Sequence, residues 1–205
     1  MKNTSQSHRS DEEINRYFQS AEYQKKLGLT AKLWWEAGVR NRHVFKPKAG
    51  IGAWDRKLAD LTKKIDSGLM IALLGLRGCG KTQLAVELMR ESCHLGKSAR
   101  YTTAMDIFID IRDAYKLQKS ERSVLLGFER PSLLVIDEAQ ERGESSWEDR
   151  MLTALIDSRY SQRRDTIIIS NLKRDDFLSS MGSSIVSRMI ETGGVIECDW
   201  PSFRR

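Results

Sequence analysis

Long apolar runs are absent from this 205-residue sequence, and none approaches the roughly 18 residues that a membrane-spanning helix needs. No charged and then apolar leader opens the chain, so we expect no membrane segment and a cytoplasmic location. The three cysteines, Cys79, Cys93 and Cys198, lack Cys-x-x-Cys spacing, which argues against a zinc site or a disulfide framework. The three histidines are scattered, and no pattern pairs them with a nucleophile or with metal ligands. Internal repeats and low-complexity tracts are also absent.

The apolar content, 40% of the residues, is enough to bury one core of ordinary domain size together with an appendage. Lysine and arginine outnumber aspartate and glutamate by 34 to 28, which gives a net charge of +6. This excess leaves room for an anionic partner such as nucleic acid, although ATP binding and ordinary solubility would also account for a modest excess. Composition therefore predicts one main globular domain but does not identify its binding partner.

One stretch, Gly75 to Thr82, matches the pattern G-x-x-x-x-G-K-[ST] in full and lies between an apolar run and a helical pattern. Its glycines let successive backbone N–H groups turn toward phosphate oxygens, and the following helix adds the positive end of its dipole. A glycine-rich turn that matches by chance is the alternative, and the flanking patterns disfavour it. We therefore predict ATP as the ligand, with Lys81 on the β and γ phosphates. The candidate nucleotide-binding residues are Gly75, Leu76, Arg77, Gly78, Cys79, Gly80, Lys81, Thr82 and Gln83.

A second motif, Ser132 to Glu138, has the pattern of a buried strand that ends in two acids. In a parallel sheet this arrangement places both carboxylates near the phosphate loop. We expect Thr82 and Asp137 to hold Mg²⁺, and Glu138 to polarise the attacking water as a catalytic residue alongside Lys81. Alternatively, Glu138 only caps or solvates the loop after the strand. The cofactors predicted from the two motifs are ATP and Mg²⁺.

Apolar strand patterns and amphipathic helix patterns alternate from residue 69 onward. Alternation of this kind predicts an α/β fold in which helices wrap a parallel sheet. The predicted strands cover 69–74, 99–103, 133–136, 166–169 and 195–198. The predicted helices cover 54–65, 81–95, pieces within 106–127, 147–160 and pieces up to 190.

The predicted domain division gives a short helical extension at residues 1–45 and an ATPase domain at 46–205. Within the extension, a capping box at 10–13 opens a helix that ends by residue 28, and a second helical stretch runs from Ala31 to Gly38. This second stretch carries Trp34 and Trp35, which are adjacent and therefore cannot both face one core. One tryptophan either packs on the domain body or forms a docking site for a partner protein.

Further patterns support a resemblance to the AAA+ ATPases of the DnaC and IstB type, which are helicase loaders and transposition helper ATPases. Besides the phosphate loop, the matching stretches are 135–138, 158–160, 166–172, 185–189 and 195–200. The resemblance implies a five-stranded sheet in the order 5-1-4-3-2, without a C-terminal lid domain. It also implies two further catalytic residues, Asn171 as a polar sensor on the fourth strand and Arg188 acting across the subunit interface of a homo-oligomer. In the counterpart of the family's arginine box, Ser184 replaces the first arginine.

The function implied by the resemblance is that of a helicase loader in DNA replication. Such a protein binds ATP and slowly hydrolyses it with Mg²⁺ as an oligomer, and it delivers a replicative helicase onto single-stranded DNA. A transposition helper ATPase that binds duplex DNA and a P-loop kinase for small molecules are the alternatives, although no arginine-rich lid follows Glu138. Contact with DNA could involve Arg112 and Lys116, which otherwise belong to a solvated helix face.

Overall fold

Helices and strands alternate in the structure as the sequence predicts. The computed structural model describes residues 29–30, 32–39, 52–118, 120–141 and 146–203. After helical turns at 29–30 and 32–36, the elements are α1 (Gly52–Thr62), β1 (Met70–Leu74), α2 (Lys81–His94), β2 (Ala99–Thr103), α3 (Ala104–Lys116), α4 (Glu121–Glu129), β3 (Leu133–Asp137), α5 (Ser146–Ser161), β4 (Asp165–Ser170), α6 (Arg174–Thr192) and β5 (Gly194–Glu197). None of the helices in these ranges is long and apolar enough to cross a membrane. The helix predicted at 10–28 lies outside the described residues.

The five strands form one sheet in the order β2-β3-β4-β1-β5, and every neighbouring pair is parallel. This is the predicted order 5-1-4-3-2 seen from the other edge, so the fold prediction is confirmed. Strands β1, β3 and β4 are buried along their whole length and are apolar at their centres, as expected for a parallel sheet covered on both faces. The carboxyl ends of these three strands therefore lie side by side at one edge, where open α/β sheets bind ligands.

Each face of the sheet has its own apolar core. Along β1, Ile71 and Leu73 enter the core that α1 and α2 cover, whereas Met70, Ala72 and Leu74 enter the core that α3, α5 and α6 cover. The alternation follows the two-residue period of a strand. Full burial of one large apolar side chain stabilises a fold by roughly 1.5–3 kcal/mol. The two cores together fix the position of the strands that carry the site.

A buried arginine ties the amino ends of β3 and β4 together. Arg159 on α5 has no exposed surface. Its guanidinium donates to the carbonyl oxygens of Phe128, Glu129 and Pro131 and to Thr166 Oγ1, at 2.9–3.0 Å. Burial lowers its pKa to about 9, and the hydrogen bonds compensate for the lost hydration. Arg159 therefore stabilises the edge of the sheet opposite the phosphate loop.

The segment with the adjacent tryptophans packs against α2 and β2. The guanidinium carbon of Arg90 lies 4.5 Å from the ring centre of Trp34, and Ala37 O accepts a hydrogen bond from Tyr101 N at 2.7 Å. Trp35, in contrast, is 88% exposed. The prediction that the two tryptophans do not face one core is therefore confirmed.

Candidate nucleotide site

The phosphate loop connects the end of β1 to the start of α2, and all three of its glycines have positive φ. Gly75 has φ 140°, and a Cβ there would lie 2.6 Å from Cys198 O. Gly80 has φ 82° and directly precedes α2. Neither conformation suits an L side chain. The loop therefore turns tightly into the amino end of α2, whose free N–H groups and dipole favour an anion.

Lys81 lies inside the loop, with 5% of its surface exposed. Its Nζ donates to Gly75 O at 2.7 Å, to Leu76 O at 2.9 Å and to Asn171 Oδ1 at 3.0 Å. Because Asn171 directly follows β4, these bonds join the carboxyl ends of β1 and β4. The structure thus brings together Lys81 and Asn171, two of the residues predicted to be catalytic.

Thr82 and Asp137 are in direct contact. Thr82 Oγ1 donates to Asp137 Oδ2 at 2.8 Å, and Asp137, at the end of β3, is 6% exposed. The same Oδ2 accepts from Tyr101 OH at 2.8 Å, while Oδ1 accepts from Glu138 N at 2.7 Å. A hydroxyl and a carboxylate are hard oxygen ligands of the kind that Mg²⁺ prefers. The donor set formed by Thr82 and Asp137 therefore fits this ion.

Glu138, the first residue after β3, has a strained backbone. Its φ of 54° lies in the left-handed region, which costs a non-glycine residue about 1–2 kcal/mol. Ala139 N donates to Ile169 O at 3.0 Å, and Asn171 N donates to Gln140 Oε1 at 3.2 Å. These bonds tie the loop after β3 to β4 and offset the strain. Strained residues concentrate at functional sites, which accords with the role predicted for Glu138.

Three other predicted binding residues, Leu76, Arg77 and Gln83, have side chains that are exposed or half-buried. Leu76 and Arg77 are exposed, and Arg77 pairs with Glu141 at 3.4 Å. Gln83 Nε2 donates to Glu87 Oε1 at 3.1 Å within α2. The pair of Arg77 and Glu141 is of the exposed kind that contributes about 0–1 kcal/mol, so little stability depends on the Arg77 side chain.

Two cysteines meet beside the lysine of the loop. The Cys198 thiol, just after β5, lies beside the Cys79 thiol, and Lys81 Nζ lies 3.7 Å from Cys79 Sγ. The Cys198 thiol lowers the pKa of Cys79 to about 6; burial opposes this shift and the ammonium charge of Lys81 assists it. The same contact, together with burial, raises the pKa of the Cys198 thiol. Both side chains are buried, so the pair packs the loop against β5.

Arg188 lies away from the phosphate loop of its own chain. Helix α6 starts near the edge that carries the loop and, with a kink at Gly182, runs back toward the start of β5. Arg188 follows this kink, and its partner Asp157 lies near the end of α5, which leads to the start of β4 and not to the edge with the loop. Its Nη1 donates to Ser184 O at 2.9 Å and to Ser184 Oγ, and its Nη2 lies 3.1 Å from Asp157 Oδ1. The structure does not bring Arg188 to the other predicted catalytic residues, and Ser184 holds it in place.

The two basic residues predicted to contact DNA each have a carboxylate partner in their own chain. Arg112 pairs with Glu148, of which only 3% is exposed, and Lys116 Nζ lies 2.8 Å from Asp113 Oδ1 at the surface. Removing the partner of a buried carboxylate is costly, whereas a surface pair contributes about 0–1 kcal/mol. Lys116 is therefore freer than Arg112 to contact an anionic partner.

The sequence analysis missed Tyr101, which lies on β2 beside the strand that carries Asp137. The parallel register pairs Thr103 with Asp137 and Tyr101 with Val135. Tyr101 therefore lies two residues before Thr103, on the same face of the sheet as Thr103. Its long side chain lies on the matching face and reaches the carboxylate. The sequence signal is a tyrosine two residues before the end of a strand, and it can be recognised only when strand order and register are known.

Tyr101→Phe should raise the Mg²⁺ concentration needed for half-maximal ATP hydrolysis about tenfold, because partners of metal-binding carboxylates contribute about 10–100-fold to metal affinity. The change removes only the hydroxyl that donates to Asp137 and keeps the buried ring. Initial hydrolysis rates across a Mg²⁺ titration provide the measurement. Tyr115→Phe, which removes an exposed hydroxyl bonded to Glu121, is the matched control. An unchanged Mg²⁺ dependence with a lower melting temperature would show that the Tyr101 hydroxyl serves stability alone.

Comparison with known proteins relates these features to a family. Residues 42–205 match the family described as IstB-like ATP binding protein. The replicative helicase loader DnaC of Escherichia coli (strain K12) is 29% identical over 132 residues, which are 63% of this chain and 54% of DnaC. The chain thus spans about half the length of the curated relatives it matches.

Solved structures share the fold. The crystal structure of the DnaC helicase loader gives a TM-score of 0.63 at 21% identity and covers 80% of this chain and 97% of that chain. AMPPCP-bound DnaA from Aquifex aeolicus gives a TM-score of 0.62 at 18% identity, with coverage of 75% and 48%. At these identities the likeness shows the fold alone. Because the family match covers most of the sequence, the chain belongs to the IstB-like ATP-binding proteins, which are AAA+ ATPases of the DnaC and IstB type.

Proposed function

We propose that this protein is an ATPase that loads a replicative helicase onto single-stranded DNA. The observation that carries the proposal is that one edge of the sheet collects most of the predicted site. The residues at this edge are Lys81, Thr82, Asp137, Glu138 and Asn171. The set combines a phosphate loop with two acids and an amide, which together suit hydrolysis of a nucleoside triphosphate. Similarity to the DnaC loader supports the role in replication.

Each residue of the site has a separate task in this proposal. The N–H groups of the loop bind the phosphates, and Lys81, between the ends of β1 and β4, neutralises charge on the β and γ phosphates. Glu138 orients the attacking water and accepts its proton, while the Asn171 amide stabilises the developing charge. Thr82 and Asp137 would hold Mg²⁺, which offsets phosphate charge when it is bound.

Arg188 supports a homo-oligomer in which each subunit completes the site of its neighbour. The residue pairs with Asp157 near the end of α5, away from the edge with its own loop, so it does not act there. Its side chain keeps 25% of its surface exposed, and its Nη1 and Nη2 are held by Ser184 and Asp157. A partly exposed guanidinium can stabilise the charge that develops on the γ phosphate of a neighbour. Assembly around ATP would then permit hydrolysis.

Trp35 is the contact that we assign to the helicase. Trp34 anchors the segment on α2 through Arg90, while Trp35 is 88% exposed. Tryptophan is enriched among the residues that dominate the energy of protein interfaces. Anchoring one tryptophan fixes the backbone that presents the other, which reduces the entropy lost on binding.

Trp35→Ala should weaken capture of the replicative helicase of the native cell at least tenfold, since a dominant interface residue contributes about 2 kcal/mol or more. The measurement is a titration with purified helicase, with and without ATP. Ile190→Ala, which removes another side chain that is 65% exposed, is the control. If Trp35→Ala captures the helicase as well as the wild type does, the helicase contacts a different surface of the protein. A wild-type protein that captures no helicase would contradict the loader function itself.

The match to IstB-like proteins favours a second candidate, a transposition helper ATPase that binds duplex DNA. The two candidates differ in the DNA that they engage. ATP-dependent binding to a labelled single strand, and to a duplex of the same sequence, separates them. Cooperative binding to the duplex without capture of a helicase would favour the transposition helper. The same match favours either assembly ATPase over the small-molecule kinase.

A further inference from the structure

Three aromatic residues outside the phosphate loop and the acidic motif donate hydrogen bonds to the backbone of the phosphate loop. Three successive loop carbonyls accept hydrogen bonds from α1 and from the segment that follows β5. The bonds are Trp54 Nε1 to Gly80 O at 3.2 Å, Trp200 Nε1 to Cys79 O, and Phe203 N to Gly78 O at 2.9 Å. We call these three donors, from residues 54, 200 and 203, the carbonyl clamp.

The clamp determines where the N–H groups of the loop point. In a trans peptide, the carbonyl of one residue and the N–H of the next point in opposite directions, and no peptide bond in the described ranges is cis. Holding the carbonyls of residues 78, 79 and 80 outward therefore turns the N–H groups of Cys79, Gly80 and Lys81 inward. Inward N–H groups are what a phosphate-binding loop requires.

The clamp is also well packed. Trp54 is 4% exposed and Trp200 is 9% exposed. The rings of Trp54 and Phe203 meet edge to face with their centres 6.0 Å apart. A Cβ at Gly80 would lie 2.8 Å from the Phe203 ring, so the clamp approaches the loop backbone as closely as glycine allows. Buried, packed donors hold their orientation, unlike donors on a mobile side chain.

We propose that Trp200, assisted by Trp54 and Phe203, is a positioning residue that holds the phosphate loop in its phosphate-binding form before ATP arrives. This inference rests on the ATP-binding function proposed above and adds to it three residues that have no predicted role in the site. A glycine-rich loop has much conformational freedom to lose when it binds a ligand. The clamp removes that freedom in advance, which favours binding.

The three donors differ in how far the loop depends on them. Gly80 O also accepts from Leu84 N at 2.8 Å, so it keeps a partner without Trp54. Cys79 O has no second donor among the described residues. Without the indole N–H, the peptide after Cys79 would gain stability by flipping its carbonyl to water, and phosphate binding would have to reverse that flip. Trp200 should therefore have a larger effect than Trp54.

Trp200→Phe should lower the affinity for ATP about tenfold, whereas Trp54→Phe should lower it about twofold or less. Both changes remove an indole N–H and keep an aromatic ring. Affinity is measured by displacement of a fluorescent ATP analogue, with ATP and then with inorganic tripolyphosphate as competitor, beside melting temperatures. Tripolyphosphate carries no base or sugar, so a positioning role predicts the same loss for both competitors.

The outcomes decide between the roles of Trp200. Wild-type affinity of Trp200→Phe for both competitors, or weaker ATP binding with unchanged tripolyphosphate binding, would overturn the proposal. If Trp200→Phe does not fold, Phe203→Pro and Phe203→Leu replace it as a test: both lose the ring, but only the proline variant loses the N–H bonded to Gly78 O. Equal affinities of these two variants would also overturn the proposal. A wild-type protein that binds neither competitor would overturn the proposed function, and this inference with it.

Discussion

Lys81→Ala should bind ATP at least tenfold more weakly than the wild type, whereas Glu138→Gln should bind ATP normally and lose hydrolysis by about 10²–10⁴-fold. The lysine is placed to contact phosphates in the ground state, and a hydrogen bond to a charged group contributes about 1.5–3 kcal/mol. Glu138 acts only on the attacking water, for which general base catalysis contributes about 10²–10⁴-fold. One residue therefore affects binding and the other the chemical step.

Binding is measured with labelled ATP and hydrolysis by phosphate release, on the same preparations. Lys97→Ala is the control, because Lys97 is a partly exposed lysine that pairs with Asp66 outside the phosphate loop. This control should change neither quantity by more than about twofold, as expected for a surface ion pair. If Lys81→Ala and Glu138→Gln lose ATP binding to the same extent, the separate tasks assigned to the two residues are wrong.

The features that could be predicted from the sequence are local ones. The phosphate loop from Gly75 to Thr82 and the strand that ends in Asp137 and Glu138 each carry their pattern within eight residues or fewer. The order of the strands followed from the family resemblance, and the parallel pairing followed from the alternation of strands and helices. Parallel pairing then places Asn171, at the end of β4, beside the loop after β1, where its amide meets Lys81.

The features that could not be predicted depend on distant pairs. Trp200 lies 121 positions from Cys79, and Tyr101 lies 36 positions from Asp137. A hydrogen bond between residues so far apart leaves no periodicity in the sequence, because it depends on the register of the sheet and on the path of the chain after β5. Ser184 is a further case: its place in the arginine box indicates a lost arginine, but only the structure shows that it bonds Arg188.

Arg188→Ala should bind ATP with wild-type affinity and hydrolyse it on the order of 10³-fold more slowly, as expected for an arginine that stabilises the transition state of phosphoryl transfer. The competing explanation is structural, because Arg188 pairs with Asp157 on α5. Asp157→Asn removes the charge of this pair but keeps Arg188. The pair is partly exposed, so its loss should cost at most about 1 kcal/mol of stability. Asp157→Asn should therefore keep most of the hydrolysis that Arg188→Ala loses.

Mixing two inactive variants tests whether Arg188 acts on a neighbouring subunit. Arg188→Ala keeps an intact phosphate loop, and Lys81→Ala keeps an intact Arg188, so an interface between the two variants can contain one complete site. Hydrolysis should return in part when they are mixed, and wild-type activity per subunit should rise with protein concentration or with DNA as oligomers form. A mixture that stays inactive although mixed oligomers form, together with wild-type activity that does not depend on concentration, would exclude action in trans. In that case Arg188 would act only within its own chain. Asp157→Asn should then lose as much hydrolysis as Arg188→Ala.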